Sequence, residues 1–160
     1  MKRIIVVEDN KDINRLISYN LNQSGFTVQS VYDGMAAWQK LQEEDFDIVI
    51  LDIMLPFVDG LDICKMIKDK KSAFKTFVVI VSAKAEPADK IYAHLLGADM
   101  YITKPFPIRQ LIEIVSDLIA LQGREFSVKN KNSLCISTQR KEVKPQDANN
   151  DRNAQGFCFN

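Results

Sequence analysis

The chain alternates short apolar runs with segments of helical periodicity, and this alternation restricts its fold more than any other feature. In the helical segments, apolar residues recur every three or four positions. The predicted strands are residues 3–7, 27–31, 48–51, 77–81 and 100–104. Their β-branched and aliphatic runs are typical of strands that are buried on both faces of a parallel sheet. Five strands alternating with five helices therefore predict a doubly wound α/β fold around a five-stranded parallel sheet.

Capping and turn residues set the expected limits of the helices. Asp12 opens the first helix and Gly25 ends it. Pro87 suits the first turn of the fourth helix, and Pro107 begins the fifth. These local signals fall between the apolar runs and the helical periods, so they agree with the alternating pattern.

Length and composition exclude several classes of protein. The chain has 160 residues, of which 46% are hydrophobic and 26% charged, and Lys plus Arg equal Asp plus Glu at 21 each. Such a balanced globular composition gives no polyelectrolyte bias toward nucleic acid. No apolar run approaches the ~20 residues of a membrane span, and MKRIIVVEDN becomes acidic too early for a signal peptide. Cys64, Cys135 and Cys158 lack CxxC spacing, so we expect no disulfide framework, no zinc site and a cytoplasmic location.

Charge and hydropathy divide the chain near residue 122. Residues 1–122 carry 14 Lys or Arg and 17 Asp or Glu, whereas residues 123–160 carry 7 and 4. The second segment is rich in Asn, Gln, Lys and Ser and has no sustained apolar period, which is typical of disorder. We therefore expect one folded domain over 1–122, followed by a polar, disordered tail or linker remnant over 123–160.

Chemically capable side chains lie at the carboxyl ends of four of the predicted strands. Glu8 and Asp9 follow the first strand, Asp52 the third and Ser82 the fourth, and Lys104 ends the fifth. In open α/β sheets, ligands bind at the carboxyl ends of the strands, near the point where the strand order reverses. The three carboxylates, the hydroxyl and the ammonium group are therefore expected to converge at one edge of the sheet.

Three carboxylates in one small site require a cation, and oxygen ligands without His or Cys favour Mg²⁺. Asp9 and Asp52 are the expected direct ligands, with Glu8 acting through water. A metal beside Asp52 favours an incoming phosphoryl group, which the Asp52 carboxylate can accept as an acyl phosphate. The Lys104 ammonium and the Ser82 hydroxyl can then bind phosphoryl oxygens.

Four segments resemble the receiver domain of two-component response regulators: VVEDN, LDIMLP followed by Asp59-Gly60, VSAK, and GADMYITKPF. The resemblance extends over residues 2–122 and is closest to the branch that carries a winged-helix DNA-binding domain. It implies the (βα)5, flavodoxin-like fold. It also implies a phosphorylation-switched signalling module that accepts its phosphoryl group from a sensor histidine kinase or a histidine phosphotransfer protein. Such a module catalyses only its own phosphorylation and dephosphorylation.

The resemblance also assigns roles to individual residues. It implies that Asp52 is the phospho-acceptor and that the Met54 backbone carbonyl joins Asp9 and Asp52 as a ligand of Mg²⁺. Ser82 and Tyr101 occupy the two switch positions of the family. Lys104 is the expected phosphate-contacting lysine, and the Pro105 that follows it is often preceded by a cis bond in the family.

Two other functions share parts of this pattern. A flavodoxin-like redox carrier needs a hydroxyl- and Gly-rich loop after the first strand, but EDNKD is acidic there and would repel a flavin phosphate. A phosphohydrolase that uses an aspartyl phosphate needs a DxD motif on the first strand, which Glu8-Asp9-Asn10-Lys11 lacks. The signalling module is the favoured function.

The output of the module is less closely specified by the residues. A winged-helix domain needs ~100 further residues, and the 38 polar residues after 122 cannot supply it. The chain is therefore a stand-alone receiver or a receiver cut from a longer DNA-binding regulator. We expect no direct binding to nucleic acid and no membrane contact by this chain.

The sequence differs from the winged-helix branch at positions that determine which protein partners the domain can bind. That branch pairs charged residues of the fourth helix, fifth strand and fifth helix across a two-fold dimer. The aligned positions here include apolar Leu95, Met100 and Ile114, although Asp89 and Lys90 are retained. An outward apolar patch would serve contact with a downstream protein or self-association. The alternative is that the tail folds over these residues.

Overall fold

The computed structural model describes residues 1–70 and 76–128, the last six of these by their backbone alone. It contains five strands and five helices in strict alternation. The strands are β1 (Arg3–Val7), β2 (Thr27–Val31), β3 (Ile48–Leu51), β4 (Phe77–Ser82) and β5 (Met100–Thr103). The helices are α1 (Lys11–Gln23), α2 (Gly34–Glu43), α3 (Gly60–Asp69), α4 (Pro87–Leu95) and α5 (Ile108–Val128).

All five strands join one parallel sheet in the order β2-β1-β3-β4-β5. The order reverses at β1, which pairs with β2 on one side and with β3 on the other. In the β1–β3 pair, Val7 lies opposite Leu51, so both strands end at the same level of the sheet. The predicted doubly wound, flavodoxin-like fold is confirmed, and its reversal point lies at the carboxyl ends of β1 and β3.

Each face of the sheet carries its own apolar layer because the strands are buried on both sides. One layer packs strand residues against α2, α3 and α4, with Ile5, Leu51, Ile63 and Ile80 among its buried members. The other packs them against α1 and α5, with Ile17, Leu21, Leu111 and Val115 among its buried members. These layers hold the strand ends, and thus the side chains that follow them, in one rigid frame.

The helix limits follow from side-chain caps. The Asn10 side chain accepts hydrogen bonds from the backbone N–H groups of Asp12 and Ile13 at 3.0 and 3.1 Å. Asn10 is therefore the N-cap, and α1 begins one residue before the predicted opening at Asp12. Pro87 lies in the first turn of α4, as predicted. The C-terminal turn of α1 leads to Gly25, whose φ of 89° suits glycine.

The last helix extends beyond the predicted domain limit at residue 122. α5 continues to Val128, so the first six residues of the predicted tail are helical in backbone. The remainder of the predicted disordered tail, residues 129–160, lies outside the described residues. Among the described helices, α5 included, none combines the length and the apolar character that crossing a bilayer requires.

Candidate functional site

Three carboxylates meet at the carboxyl ends of β1 and β3. Glu8, Asp9 and Asp52 each offer one carboxylate oxygen, and these three oxygens lie within 4.8 Å of one another. Only 2% of the surface of Glu8 and 5% of that of Asp52 is accessible to solvent, whereas Asp9 is exposed. The convergence expected from the strand ends is therefore present, with one carboxylate open to solvent.

Glu8 and Asp52 are positioned by backbone hydrogen bonds that continue the parallel sheet pairing one residue beyond the ends of β1 and β3. The N–H of Glu8 donates to the Val31 carbonyl at 3.1 Å, and the N–H of Asp52 donates to the Val7 carbonyl at 3.0 Å. The Oδ1 atom of Asp52 accepts from the Met54 N–H at 3.0 Å. Asp52 is thus held by both its backbone and its side chain.

The N-terminus of α3 packs directly against the backbone of the phospho-acceptor candidate. A Cβ atom at Gly60 would lie 2.0 Å from the Asp52 carbonyl oxygen, a distance that no side chain could tolerate. Gly60 also donates its N–H to the Ile53 carbonyl at 3.0 Å. Glycine at position 60 therefore allows α3 to begin against the end of β3 and to fix the loop between them.

Lys104 joins two of the carboxylates. Its Nζ atom lies 2.6 Å from Oε2 of Glu8 and 2.6 Å from Oδ2 of Asp52. Its backbone N–H donates to the Ser82 carbonyl at 2.9 Å, and the peptide bond to Pro105 is cis, as the family resemblance implied. The ammonium group therefore enters the acidic cluster from the end of β5.

Burial and charge act in opposite directions on these groups. Burial raises the pKa of Glu8, although the hydrogen bond and charge of Lys104 oppose this effect. Burial also disfavours the charged form of Lys104, but Asp52 and Glu8 outweigh it and raise its pKa. Lys104 therefore stays protonated at neutral pH and compensates part of the buried negative charge.

The donor set fits a hard divalent cation. The ionised forms of the three carboxylates and Lys104 sum to a formal charge of −2, which a divalent ion would balance. All the candidate ligand atoms are oxygens, and the exposed Asp9 borders a cavity that Met54 also lines. These features match the preferences of Mg²⁺ rather than those of zinc.

Ser82 and Tyr101 are linked through the backbone of Lys84. Ser82 is fully buried, and its Oγ atom accepts from the Lys84 N–H at 3.3 Å. The half-buried Tyr101 donates its hydroxyl to the Lys84 carbonyl at 2.9 Å, and burial raises the pKa of that hydroxyl. The two predicted switch residues thus bind the same residue of the β4–α4 loop.

The predicted partner face, formed by Leu95, Met100 and Ile114, is only partly exposed to solvent. Leu95 is 78% exposed, but Met100 and Ile114 are half-buried and pack against the apolar layer beneath α5. The expectation that all three point outward is therefore met in full by Leu95 alone. The apolar exposure lies instead on α4, where Ile91 and Tyr92 are 60% and 54% exposed. The helical period of α5 places Ile114 three residues after the buried Leu111, on a side of the helix that packs against this apolar layer.

Sequence reasoning missed Asn14, which is fully buried beside the acidic cluster. Its Nδ2 atom donates to the carbonyls of Val31 and Glu8 at 2.9 and 3.1 Å, and Ser18 donates to its Oδ1 atom at 3.2 Å. The available signal was a polar side chain on the core-facing stripe of α1. Asn14 ties the ends of β1 and β2 to that helix.

Comparison with known proteins gives the family. The model of the response regulator receiver domain matches residues 4–116. The chain belongs to that family. It is 41% identical over 110 residues to the alkaline phosphatase synthesis transcriptional regulatory protein PhoP of Bacillus subtilis (strain 168). That match covers 69% of this chain and 45% of PhoP, so the chain spans less than half the length of this relative.

Solved structures agree with the assignment. The receiver domain of Francisella response regulator 1452 superposes with a TM-score of 0.70 at 30% identity, covering 78% of this chain and 99% of that chain. The response regulator TrrA of Thermotoga maritima, solved in complex with Mg²⁺ and BeF, gives a TM-score of 0.66 at 30% identity. It covers 74% of this chain and 99% of that chain.

Membership of the receiver family places the chain in two-component signalling. Receiver domains generally act as signalling modules rather than as conventional enzymes, and they generally interact with histidine kinases or phosphotransfer proteins. The family assignment therefore favours the signalling module over the redox carrier and the phosphohydrolase.

Proposed function

We propose that Asp52 accepts a phosphoryl group from the phosphohistidine of a sensor kinase or a phosphotransfer protein, with Mg²⁺ bound at the acidic cluster. The observation that carries this proposal is the convergence of three carboxylates and one ammonium group at the reversal point of the sheet. Asp9 and Asp52 would hold the ion together with the Met54 carbonyl, and Glu8 would act through water. The bound ion would neutralise the oxygens of the incoming phosphoryl group.

The contacts of Asp52 suit it to nucleophilic attack. The Met54 N–H and the Lys104 ammonium hold its two oxygens, which fixes the orientation of the carboxylate. Attack forms a bond from a carboxylate oxygen to phosphorus, while the bond from phosphorus to the histidine nitrogen breaks and its electron pair returns to nitrogen. Lys104 then moves from the carboxylates to a phosphoryl oxygen, which carries more charge.

The signal would leave the site through Ser82 and Tyr101. The Ser82 oxygen accepts from the Lys84 N–H, so its own proton is free to be donated to a charged phosphoryl oxygen. The hydroxyl would move toward that oxygen and lengthen its bond to Lys84. Movement of the β4–α4 loop then releases the Tyr101 hydroxyl from the Lys84 carbonyl, and the ring turns inward. One such bond is worth about 1–3 kcal/mol, whereas complete switching needs about 5.5 kcal/mol, so the free protein switches only in part.

The output is a protein contact on the face formed by α4, β5 and α5. Ile91, Tyr92 and Leu95 present a large apolar area on α4, and Tyr101 lies on the strand beside that helix. Exposed apolar patches of this kind mark protein contacts, so the partner is a downstream protein or a second copy. Residues 1–122 carry 14 Lys or Arg against 17 Asp or Glu, so they have no net positive charge to attract nucleic acid, and direct binding of nucleic acid is not part of this proposal.

A second candidate is that this receiver controls a DNA-binding domain in a longer regulator. The similarity to PhoP, a transcriptional regulatory protein, favours it. The phospho-acceptor chemistry is the same in both candidates. Retardation of duplex DNA by the 160-residue chain at physiological salt would contradict the first candidate. The second candidate is tested by the same assay on a chain in which this receiver is followed by a DNA-binding domain.

The phospho-acceptor is tested by intact mass after incubation with a small phosphodonor and Mg²⁺. We expect one added phosphoryl group in the wild type, none in Asp52→Asn and none in the presence of a chelator. Asp59→Asn is the matched control, because Asp59 lies close by as the cap of α3 and asparagine caps equally well. Undiminished labelling of Asp52→Asn, or labelling that ignores the chelator, would contradict the proposal.

A further inference from the structure

The buried face of α1 carries two polar side chains one turn apart. The buried residues of this helix are Asn14, Ile17, Ser18 and Leu21, so half of a stripe that is normally apolar is polar. Burial of an amide costs free energy unless its groups are hydrogen-bonded. Because Asn14 is fully buried, its hydrogen bonds show what it contributes that an apolar side chain could not.

Both ends of the Asn14 side-chain amide are hydrogen-bonded. Its nitrogen donates to the Val31 carbonyl at 2.9 Å and to the Glu8 carbonyl at 3.1 Å, and the Val6 carbonyl lies further away at 3.4 Å. Its oxygen accepts from the Ser18 hydroxyl at 3.2 Å. Because carbonyls surround the nitrogen and a hydroxyl faces the oxygen, the amide is held in one orientation.

Asn14 binds the chain on both sides of Asp9. Its side-chain nitrogen holds the carbonyl of Glu8, and its backbone N–H donates to the Asn10 carbonyl at 2.9 Å. Any residue at this point of α1 makes the second bond, whereas the first needs a donor on the side chain. Within the described residues, Asn14 is the only donor to the Glu8 carbonyl, and Asp9 itself forms no hydrogen bond. The orientation of the peptide between Glu8 and Asp9 therefore depends on the Asn14 amide.

We propose that Asn14 is a positioning residue of the metal site: through the Glu8 carbonyl, it holds Asp9 where its carboxylate reaches the ion. This inference rests on the proposed binding of Mg²⁺ at the acidic cluster. Asp9 is the exposed carboxylate of the cluster, so without this bond its backbone is free to turn and to carry the carboxylate into solvent. Replacement of a residue that orients metal ligands typically lowers the affinity for the metal by about 10- to 100-fold.

Asn14→Leu tests this role, because leucine has the same branched shape but no hydrogen-bond donor. The probe is Mg²⁺ alone, and binding is followed by the amide resonance of Met54, whose N–H donates to Asp52. We expect an affinity about tenfold below that of the wild type. Ser18→Ala is the matched control: it removes a bond from the other end of the same amide and leaves the bond to Glu8. It should lower the free energy of unfolding and keep the wild-type affinity for Mg²⁺.

A double-mutant cycle separates the positioning of Asp9 from a general loss of structure. If Asn14 acts through Asp9, Asn14→Leu should lower the affinity in the wild-type background but leave it unchanged in Asp9→Ala, which has no carboxylate to position. A similar loss of affinity in both backgrounds would overturn the inference.

The wild type provides the test if Asn14→Leu does not fold. Addition of Mg²⁺ should shift the side-chain amide resonances of Asn14 and leave those of Asn22, which is exposed further along α1, unchanged. Asn14 resonances that do not move would overturn the inference. So would an Asn14→Leu variant that binds Mg²⁺ as the wild type does, or an equal loss of affinity in Ser18→Ala. In these cases the metal site itself stands, whereas a wild type that binds no Mg²⁺ would overturn both the proposed metal site and this role of Asn14.

Discussion

The Nζ atom of Lys104 lies 2.6 Å from Oδ2 of Asp52, and the same atom lies 2.6 Å from Glu8. These residues come from the ends of β5, β3 and β1, so one ammonium group joins three strands of the sheet. Because the two carboxylates are almost fully buried, the lysine offsets a charge that would otherwise oppose folding. The group proposed to bind phosphate thus also stabilises the unphosphorylated fold.

Replacement of Lys104 should test this second role. Lys104→Ala leaves Glu8 and Asp52 buried without a cation, and we expect the free energy of unfolding to fall by about 3 kcal/mol at pH 7. Burial already holds the pKa of Glu8 above its usual value near 4.5, so the folded variant favours the protonated acid. The deficit should therefore shrink as the pH falls from neutrality toward that value. Urea unfolding at several pH values measures it.

The exposed Lys84→Ala is the matched control and should change stability little. Added Mg²⁺ should recover part of the loss in Lys104→Ala, since a divalent ion supplies the missing positive charge. A loss below about 1 kcal/mol at pH 7 would mean that Lys104 does not offset the buried carboxylates.

Asp9 should be the carboxylate on which binding of the metal depends most directly. It is the exposed member of the acidic cluster, so it is available to an ion without prior loss of a buried ion pair. Asp9→Ala removes one direct ligand, and we expect the affinity for Mg²⁺, measured by titration calorimetry, to fall at least tenfold. Asp12→Asn, three residues on in the first turn of α1, should bind as the wild type does. Equal affinity in Asp9→Ala would place the metal elsewhere.

Ser82 should couple the phosphorylated site to Tyr101. Ser82→Ala keeps Asp52 and Lys104, so it should still accept a phosphoryl group, but it cannot donate to a phosphoryl oxygen. We expect most of the phosphorylation-dependent change in the Tyr101 ring resonances to disappear. Ser116→Ala, which removes a hydroxyl bonded within α5, is the control. A full change in Ser82→Ala would show that the two residues act independently.

The α4 face should carry the output. Ile91→Glu with Leu95→Glu places charges on the exposed apolar patch and should abolish capture of a partner, or self-association, that depends on phosphorylation. Phosphorylation of Asp52 should persist, as intact mass will show. Leu16→Glu on α1, which replaces a residue that is 53% exposed, controls for the loss of surface hydrophobicity. Binding that survives the double substitution would move the output to another surface.

The ion pairs of Glu44 should make the free energy of unfolding depend on pH in the acidic range. Lys40 and Arg3 hold its pKa at about 2, below the usual value near 4.5. A lowered pKa in the folded state means that the stabilisation is complete above about 4.5 and is lost as the pH falls toward 2. Glu44→Gln should therefore be less stable than the wild type at pH 7, and the difference should vanish near pH 2. Glu43→Gln, which leaves both ion pairs of Glu44 intact, is the control and should retain the pH dependence of the wild type. A difference that is independent of pH would exclude the ion pairs as its cause.

Much of the frame could be predicted from local pattern. The strand bounds at residues 3–7, 27–31 and 48–51 agree with the structure, because continuous β-branched runs leave few other ways to bury their side chains. The positions of Glu8, Asp52 and Lys104 at one edge followed from the rule that parallel strands share their carboxyl ends. Where α1 begins was missed by one residue, since the Asn10 cap depends on the conformation of the turn rather than on periodicity.

By itself, the sequence determined which elements form and which chemical groups reach the reversal point, because both depend on the order of residues along each strand. Tertiary packing decided how those groups meet. It made Lys104 bridge Glu8 and Asp52, turned Met100 and Ile114 partly into the core, and placed Met66 of α3 beside Trp38 of α2. Distances between elements arise from side chains that fit together across layers, and no single segment of the chain contains that information.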